Sequence, residues 1–159
     1  MKKTLLLLLV LASVANAAPR FGIIAEQTAG VGAIISDDMY NAQVTFGSTN
    51  VKVEPASGSS TETAGSAIKL GGNYKISLDS VTDLTIGGTY TITNSDAATF
   101  ESDTTFALSA GIARELSSNI ILTTQADIYS VDTAEDTSEN KTTTTSLFGN
   151  GRVGVAYLF

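Results

Sequence analysis

The stretch GRVGVAYLF, residues 151–159, alternates between two kinds of residue along its whole length. One side of an extended chain would carry its large apolar residues, namely Val153, Val155, Tyr157 and Phe159. Successive side chains of a β-strand point to opposite faces, so this period of two predicts a strand. With Gly149 and Asn150 the same stretch also spells GNGRVG, which fits the GxGxxG template of dinucleotide-binding loops.

The residues around these glycines do not fit a dinucleotide-binding loop. A dinucleotide fingerprint needs a helix after the glycines and an acidic residue about 20 positions further on. Only five residues follow Gly154. We therefore interpret the glycines as packing residues of a crowded strand.

The first residues have the pattern of an export signal. Lys2 and Lys3 precede the apolar run TLLLLLVLASV, and the small residues ANA end at Ala17. This order predicts a secretory signal peptide at residues 1–17 and a single domain at residues 18–159.

The composition of residues 18–159 excludes several classes of protein. Seven basic and sixteen acidic residues give a net charge of −9, which disfavours binding to nucleic acid. The chain has no Cys and no His. Disulfides, thiolate metal sites and catalytic arrangements that need Cys or His are thereby excluded, and we expect no enzyme activity, no cofactor and no metal.

Residues 20–159 fall into eight segments of alternating polarity separated by turn-forming residues. Their approximate apolar cores lie at residues 21–25, 29–35, 42–46, 68–76, 84–92, 106–113, 120–129 and 147–159. Short links at residues 36–40, 77–82 and 114–118 alternate with longer polar links at 51–66, 94–104 and 130–145. The first two segments are brief, and a single bent strand is the alternative at that position.

The two faces of these segments distinguish a membrane barrel from a soluble sandwich. The apolar face carries no charged residue, whereas the opposite face is mostly Gly, Ala, Ser and Thr with a few charges. The apolar face also carries an aromatic set, namely Phe21, Phe46, Tyr74, Tyr90, Phe106, Tyr157 and Phe159. An apolar outer band with aromatic girdles around a polar interior is typical of a transmembrane barrel. We predict an all-β, eight-stranded antiparallel up-and-down transmembrane β-barrel with both termini periplasmic.

This layout resembles the small outer-membrane barrels of Gram-negative bacteria, the family of OmpX and the OmpA membrane domain. In that family the last strand ends in Phe after alternating apolar residues and is read by the barrel-assembly machinery. The resemblance implies such a signal at Val153, Val155, Tyr157 and Phe159. It also implies a bacterial outer-membrane location with lipid around the barrel, and we expect a monomer.

Four charged residues are candidates for the barrel lumen. Asp127 and Arg152 lie seven steps along the seventh and eighth segments, so we expect them to be neighbours that pair. Glu26 and Lys69 are expected at a similar height, and the four would form a polar plug. The alternative for Glu26 and Lys69 is a position at the solvated rim.

The longest link, SVDTAEDTSENKTTTT, holds Asp132, Glu135, Asp136 and Glu139. It lacks the spacing of an EF-hand loop, so a solvated acidic loop is favoured over a cation site.

The function favoured by this sequence is a structural or surface-interaction role in the outer membrane. A small or gated pore is the alternative, and a secreted soluble β-sandwich is a third interpretation. An eight-stranded barrel has an interior just wide enough to be filled by side chains, which argues against open conduction.

Overall fold

The structure, a computed structural model, describes residues 18–27, 29–53, 61–95, 102–136, 138 and 140–159. These residues form nine β-strands: β1 (Arg20–Glu26), β2 (Gly30–Ser36), β3 (Tyr40–Val53), β4 (Thr61–Ser77), β5 (Thr82–Ser95), β6 (Ser102–Ser117), β7 (Ile120–Glu135), β8 (Lys141–Leu147) and β9 (Gly151–Leu158). Within the described ranges there is no helix long and apolar enough to cross a membrane. The predicted signal peptide lies outside the described residues.

The strands form one closed antiparallel sheet. Each strand from β1 to β7 pairs with the next along the chain, and β1 also pairs with β9, from Gly22 opposite Leu158 to Glu26 opposite Gly154. β8 and β9 both pair with β7, so together they act as one interrupted strand. The prediction of an all-β, eight-stranded antiparallel up-and-down barrel is confirmed.

The first hairpin consists of two separate strands. β1 and β2 pair over their whole lengths, from Arg20 opposite Ser36 to Glu26 opposite Gly30. Gly30 has a φ of 80°, a conformation that glycine adopts without steric cost. The alternative of one bent strand is therefore wrong.

The two ends of the barrel differ in their connections. At the end that we call the turn end, residues 37–39, 78–81 and 118–119 link the strands. At the opposite loop end, β3 to β7 run 14 to 17 residues and occupy much of the sequence predicted as long links. These stretches are rich in Thr, which fits a pleated surface, so the ladders continue where loops were predicted.

One of the two register shifts between β6 and β7 lies beside the end of β8. Leu108 pairs with Tyr129 and Ser109 pairs with Asp127, so Ile128 has no register partner on β6. On the other side of β7, Phe148 adopts a φ of 54° in the break between β8 and β9. Such bulges change the direction of side chains. A strict period of two along β7 would place Tyr129 on the polar face with Asp127, but after the bulge Tyr129 shares the outer face with its partner Leu108.

Gly32 is needed where β2 approaches β3 on the lumen side. A Cβ atom at this position would run into the carbonyl oxygen of Val44. A Cβ atom on Gly72, which faces outward, would meet only the Asn41 carbonyl oxygen at 3.8 Å.

We predict that Gly32→Ala lowers the free energy of unfolding by about 1–3 kcal/mol, because the wall is overpacked against backbone that cannot move freely. Urea unfolding in detergent micelles measures the change. Gly72→Ala is the matched control and should behave like the parent protein. Equal stability of the two variants would contradict this account of Gly32.

Candidate functional site

The outer face of the barrel is apolar and accessible. The five predicted girdle residues, Phe21, Phe46, Tyr74, Tyr90 and Phe106, expose between 42 and 57% of their surface. Tyr74 lies near the turn end with Tyr40, at a ring-centroid distance of 5.2 Å. Tyr90 and Phe106 are register partners farther from the turns. Exposed apolar side chains all around the barrel would be unfavourable in water and are favourable in lipid.

This exterior and the closed sheet together define the molecule's environment. Hydrocarbon offers no partner to an unpaired N–H or C=O group, so only a closed sheet can cross it in extended form. The described residues combine closure, an apolar outer face and aromatic residues on that face. The chain is an outer-membrane-type transmembrane barrel.

In the lumen, Asp127 and Arg152 form an ion pair. Arg152 Nη2 lies 2.8 Å from Asp127 Oδ1, and both side chains are at least nine-tenths buried. The register places Arg152 directly opposite Gln125, so Asp127 reaches it along the diagonal. The backbone of Asp127 is held by two hydrogen bonds, from its N–H to the Asn150 carbonyl at 3.0 Å and from the Gly149 N–H to its carbonyl at 2.9 Å.

A second ion pair crosses the lumen. Lys69 Nζ on β4 contacts Glu26 Oε2 on β1, and these two residues are only 3% and 7% exposed. Gln43 donates a further hydrogen bond to Glu26 Oε1 at 2.8 Å. Because β1 and β4 lie three strands apart, the pair joins non-adjacent parts of the wall. Both residues lie inside the barrel and not at the rim.

Amide side chains add a second connection across the lumen. Gln125 Nε2 on β7 donates to Asn73 Oδ1 on β4 at 2.8 Å, and Asn73 Nδ2 donates to Asn41 Oδ1 at the same distance. Gln125 Oε1 also accepts a long bond of 3.5 Å from Arg152. These amides were not among the residues predicted for the lumen cluster. They share the inward phase of Lys69 and Asp127, which is the signal that could have identified them.

An apolar cluster lies on the turn-end side of the two ion pairs. Its members are Ile24, Ile34, Ala113, Ile121, Ala156 and Leu158. Ile24 precedes Glu26 by one inward position on β1, and Ala156 and Leu158 follow Arg152 toward the turn end on β9. The interior was predicted to consist mostly of small polar residues, so this layer is a finding of the structure.

The acidic link between β7 and β8 is stabilised by its own backbone. Asp136 Oδ1 accepts hydrogen bonds from the backbone N–H groups of Ser138 at 2.8 Å and Asn140 at 2.9 Å. The Asn140 side-chain amide makes the largest contribution to holding the pKa of Asp136 below its usual value, because it donates to the charged carboxylate. Glu139 lies outside the described residues. The described part of the chain contains no group of three or more candidate metal ligands.

The last strand is placed at the seam of the barrel. Val153, Val155, Tyr157 and Phe159 are all exposed on the outer face. The Phe159 N–H donates to the Phe21 carbonyl at 2.8 Å, so the final residue closes the seam at the turn end. The rings of Tyr157 and Phe159 lie 6.3 Å apart.

Comparison with solved structures returns other outer-membrane proteins. A major outer membrane protein from Thermus thermophilus aligns with 89% of this chain and 100% of its own, with 14% identity and a TM-score of 0.43. Ail, the attachment invasion locus protein of Yersinia pestis, aligns with 90% of this chain and 97% of its own, with 14% identity and a TM-score of 0.37. No protein-family model and no curated protein matches the sequence.

We predict that Asp127→Ala and Arg152→Ala each lower the free energy of unfolding by about 3–5 kcal/mol, because each leaves a buried charge without its partner. The double variant should lower the free energy of unfolding by less than the sum of the two single changes. We expect the difference, which is the coupling energy of the pair, to be about 0.5–3 kcal/mol. Urea unfolding of the parent protein, the two single variants and the double variant in micelles measures these changes. Additive effects would show that the two residues do not stabilise each other.

Proposed function

We propose that the protein is an integral outer-membrane barrel with a structural or surface-interaction role, whose lumen is closed by its own side chains. The loop end, with its acidic links, faces the outside of the cell, and both termini face the periplasm. Lipid surrounds the wall, and the barrel acts as a scaffold for what it presents at the loop end.

The observation that carries this proposal is the ion pair between Glu26 and Lys69 across the lumen. A solute passing through the barrel would have to separate these two buried charges, which is costly in a narrow interior. The amide bridge from Gln125 to Asn73 supports the same closure at another point. On the turn-end side of the ion pair, Ile24 and its apolar neighbours are buried in the lumen. Polar and apolar layers in series support a closed barrel over a pore.

A role in binding or structure agrees with the chemistry of the chain. The sequence contains no His and no Cys, the residues most used for nucleophilic and acid–base catalysis. The buried acids and bases of the two lumen ion pairs are already paired with each other. We propose a protein that is not an enzyme and that works as a monomer.

The first test is conduction. We expect the wild-type barrel to show no steady steps in planar-bilayer recordings, since both layers close the lumen. Replacing Glu26, Lys69, Ile24 and Leu158 together by Ala should produce reproducible steps, because side chains of both layers are then removed.

The control variant removes the ion pair between Glu135 and Lys141, whose charged atoms lie 3.4 Å apart at the loop end outside the lumen. We expect this variant, like the parent protein, to show no steady conductance steps. Wild-type steps that change in Arg152→Ala would overturn the closed barrel in favour of a pore. Outer-membrane fractionation with heat-modifiable migration on gels tests the barrel's location separately.

The second test concerns assembly. We expect Phe159→Ala to lower the amount of barrel recovered in the outer membrane several-fold, because Phe159 ends the strand that the assembly machinery is proposed to read. Phe148→Ala, which removes a ring that is 83% exposed in the break between β8 and β9, is the control. Heat-modifiable protein is quantified in membrane fractions. Equal losses for both variants would assign the effect to lost apolar surface alone.

A further inference from the structure

The apolar band around the barrel differs in height between two sides of the wall. On β4 and β5 the outward apolar run covers nine residues, from Ile68 to Ile76 and from Leu84 to Ile92. On β1 and β2 it covers five residues, from Phe21 to Ala25 and from Val31 to Ile35. A difference of four residues along a tilted strand corresponds to about 10 Å of height. The band is therefore lower by this amount beside the first hairpin.

The missing height lies at the loop end, because both runs start at the turn end. Phe21 is the second residue of β1, and Leu84 is the third residue of β5. The first hairpin turns back after Glu26, whereas β5 continues to Ser95. β1 and β2 have seven residues each, fewer than the 9–11 that a tilted strand needs to cross the hydrocarbon.

The outer surface becomes polar where the low part of the band ends. Gln27 continues the outward phase of β1 and is exposed, and Ser48 does the same on β3. The Gln27 N–H is paired with the Val153 carbonyl at 2.9 Å, but the side-chain amide of Gln27 lies on the outside of the wall. A polar amide surrounded by hydrocarbon is costly, so this end of the hairpin favours contact with water and lipid headgroups.

The low part of the band is confined to one arc of the wall. We call the outer face of β1, β2 and the adjoining β3 the low arc. It is bounded on β4 by Ile68 and beside β9 by Phe148, which are both apolar and exposed. A tilt of the whole barrel would raise the turn end of this arc as well. Tilt alone therefore cannot fit both ends of the band to a bilayer of constant thickness.

We propose that the low arc thins the bilayer locally, by drawing the lipid headgroups at the loop end and their water down to the level of Gln27. A bilayer is softer than a closed sheet and adapts to a short hydrophobic surface by thinning. The partner of this surface is the polar headgroup layer, which supplies hydrogen-bonding groups to the exposed amide. The proposal requires only that the barrel spans the bilayer, so it is independent of whether the lumen conducts.

Electron paramagnetic resonance of single spin labels measures the local depth of the bilayer. The chain has no Cys, so each introduced Cys carries the only label. Gln27→Cys reports on the low arc, seven residues after Arg20 at the start of β1. Tyr90→Cys is the matched control, because it faces outward on the opposite wall, eight residues after Thr82 at the start of β5.

The labelled barrels are reconstituted in vesicles of dioleoylphosphatidylcholine. Collisions with oxygen, which concentrates in hydrocarbon, are compared with collisions with a water-soluble nickel chelate. We expect the ratio of nickel to oxygen collisions to be at least about threefold higher at position 27 than at position 90. Ile86→Cys, deeper on β5, and Thr143→Cys, exposed on β8, give the values for hydrocarbon and for water.

Two further labels, Phe21→Cys and Leu84→Cys, test whether the barrel tilts. Both lie near the turn end, on opposite walls, and we expect equal collision ratios at these two positions. Unequal ratios would assign the difference between positions 27 and 90 to tilt and would overturn local thinning.

Three other results would also overturn the proposal. Equal ratios dominated by oxygen at positions 27 and 90 would show that hydrocarbon covers the first hairpin. Equal ratios dominated by nickel would show that the bilayer is thin on all sides of the barrel. Few collisions with either reagent at position 27 would show that a second copy of the barrel covers the low arc.

Discussion

The structure depends on complete pairing of the backbone around the membrane-spanning wall. The seam between β1 and β9 is bonded at its upper end by Gln27 N–H to the Val153 carbonyl at 2.9 Å and at its lower end by Phe159 N–H to the Phe21 carbonyl at 2.8 Å. Without this seam the sheet would present two open edges to hydrocarbon, where each unpaired group costs several kcal/mol. Closure in turn divides every strand into lipid-facing and lumen-facing residues.

Once the sheet is closed, any charged side chain that points into the lumen must find a partner of opposite charge there. Glu26 and Lys69 neutralise each other, as do Asp127 and Arg152, and glutamine amides bond to the same groups. Such pairs add little net stability compared with apolar packing, but they are costly to break one partner at a time. They therefore favour one arrangement of the eight strands.

At the loop end the requirement for closure ends, and the wall becomes uneven. β3 and β8 rise on either side of the short first hairpin. The wall therefore has a closed membrane-spanning part and an uneven rim at the loop end.

The sequence by itself determined the class of fold and the assignment of most faces, because period-two alternation is a local property of the extended backbone. Phe21 was placed outward, and Asp127 and Arg152 inward, from this alternation alone. Counting along the last two segments also predicted that Asp127 and Arg152 meet, as they do. The other contacts were decided by the tertiary structure, since register arises from the hydrogen bonding of all strands together and one bulge in β7 shifts it. The contact of Lys69 with Glu26 needed the whole ring to close, because it joins strands that are far apart along the chain and not adjacent in the sheet.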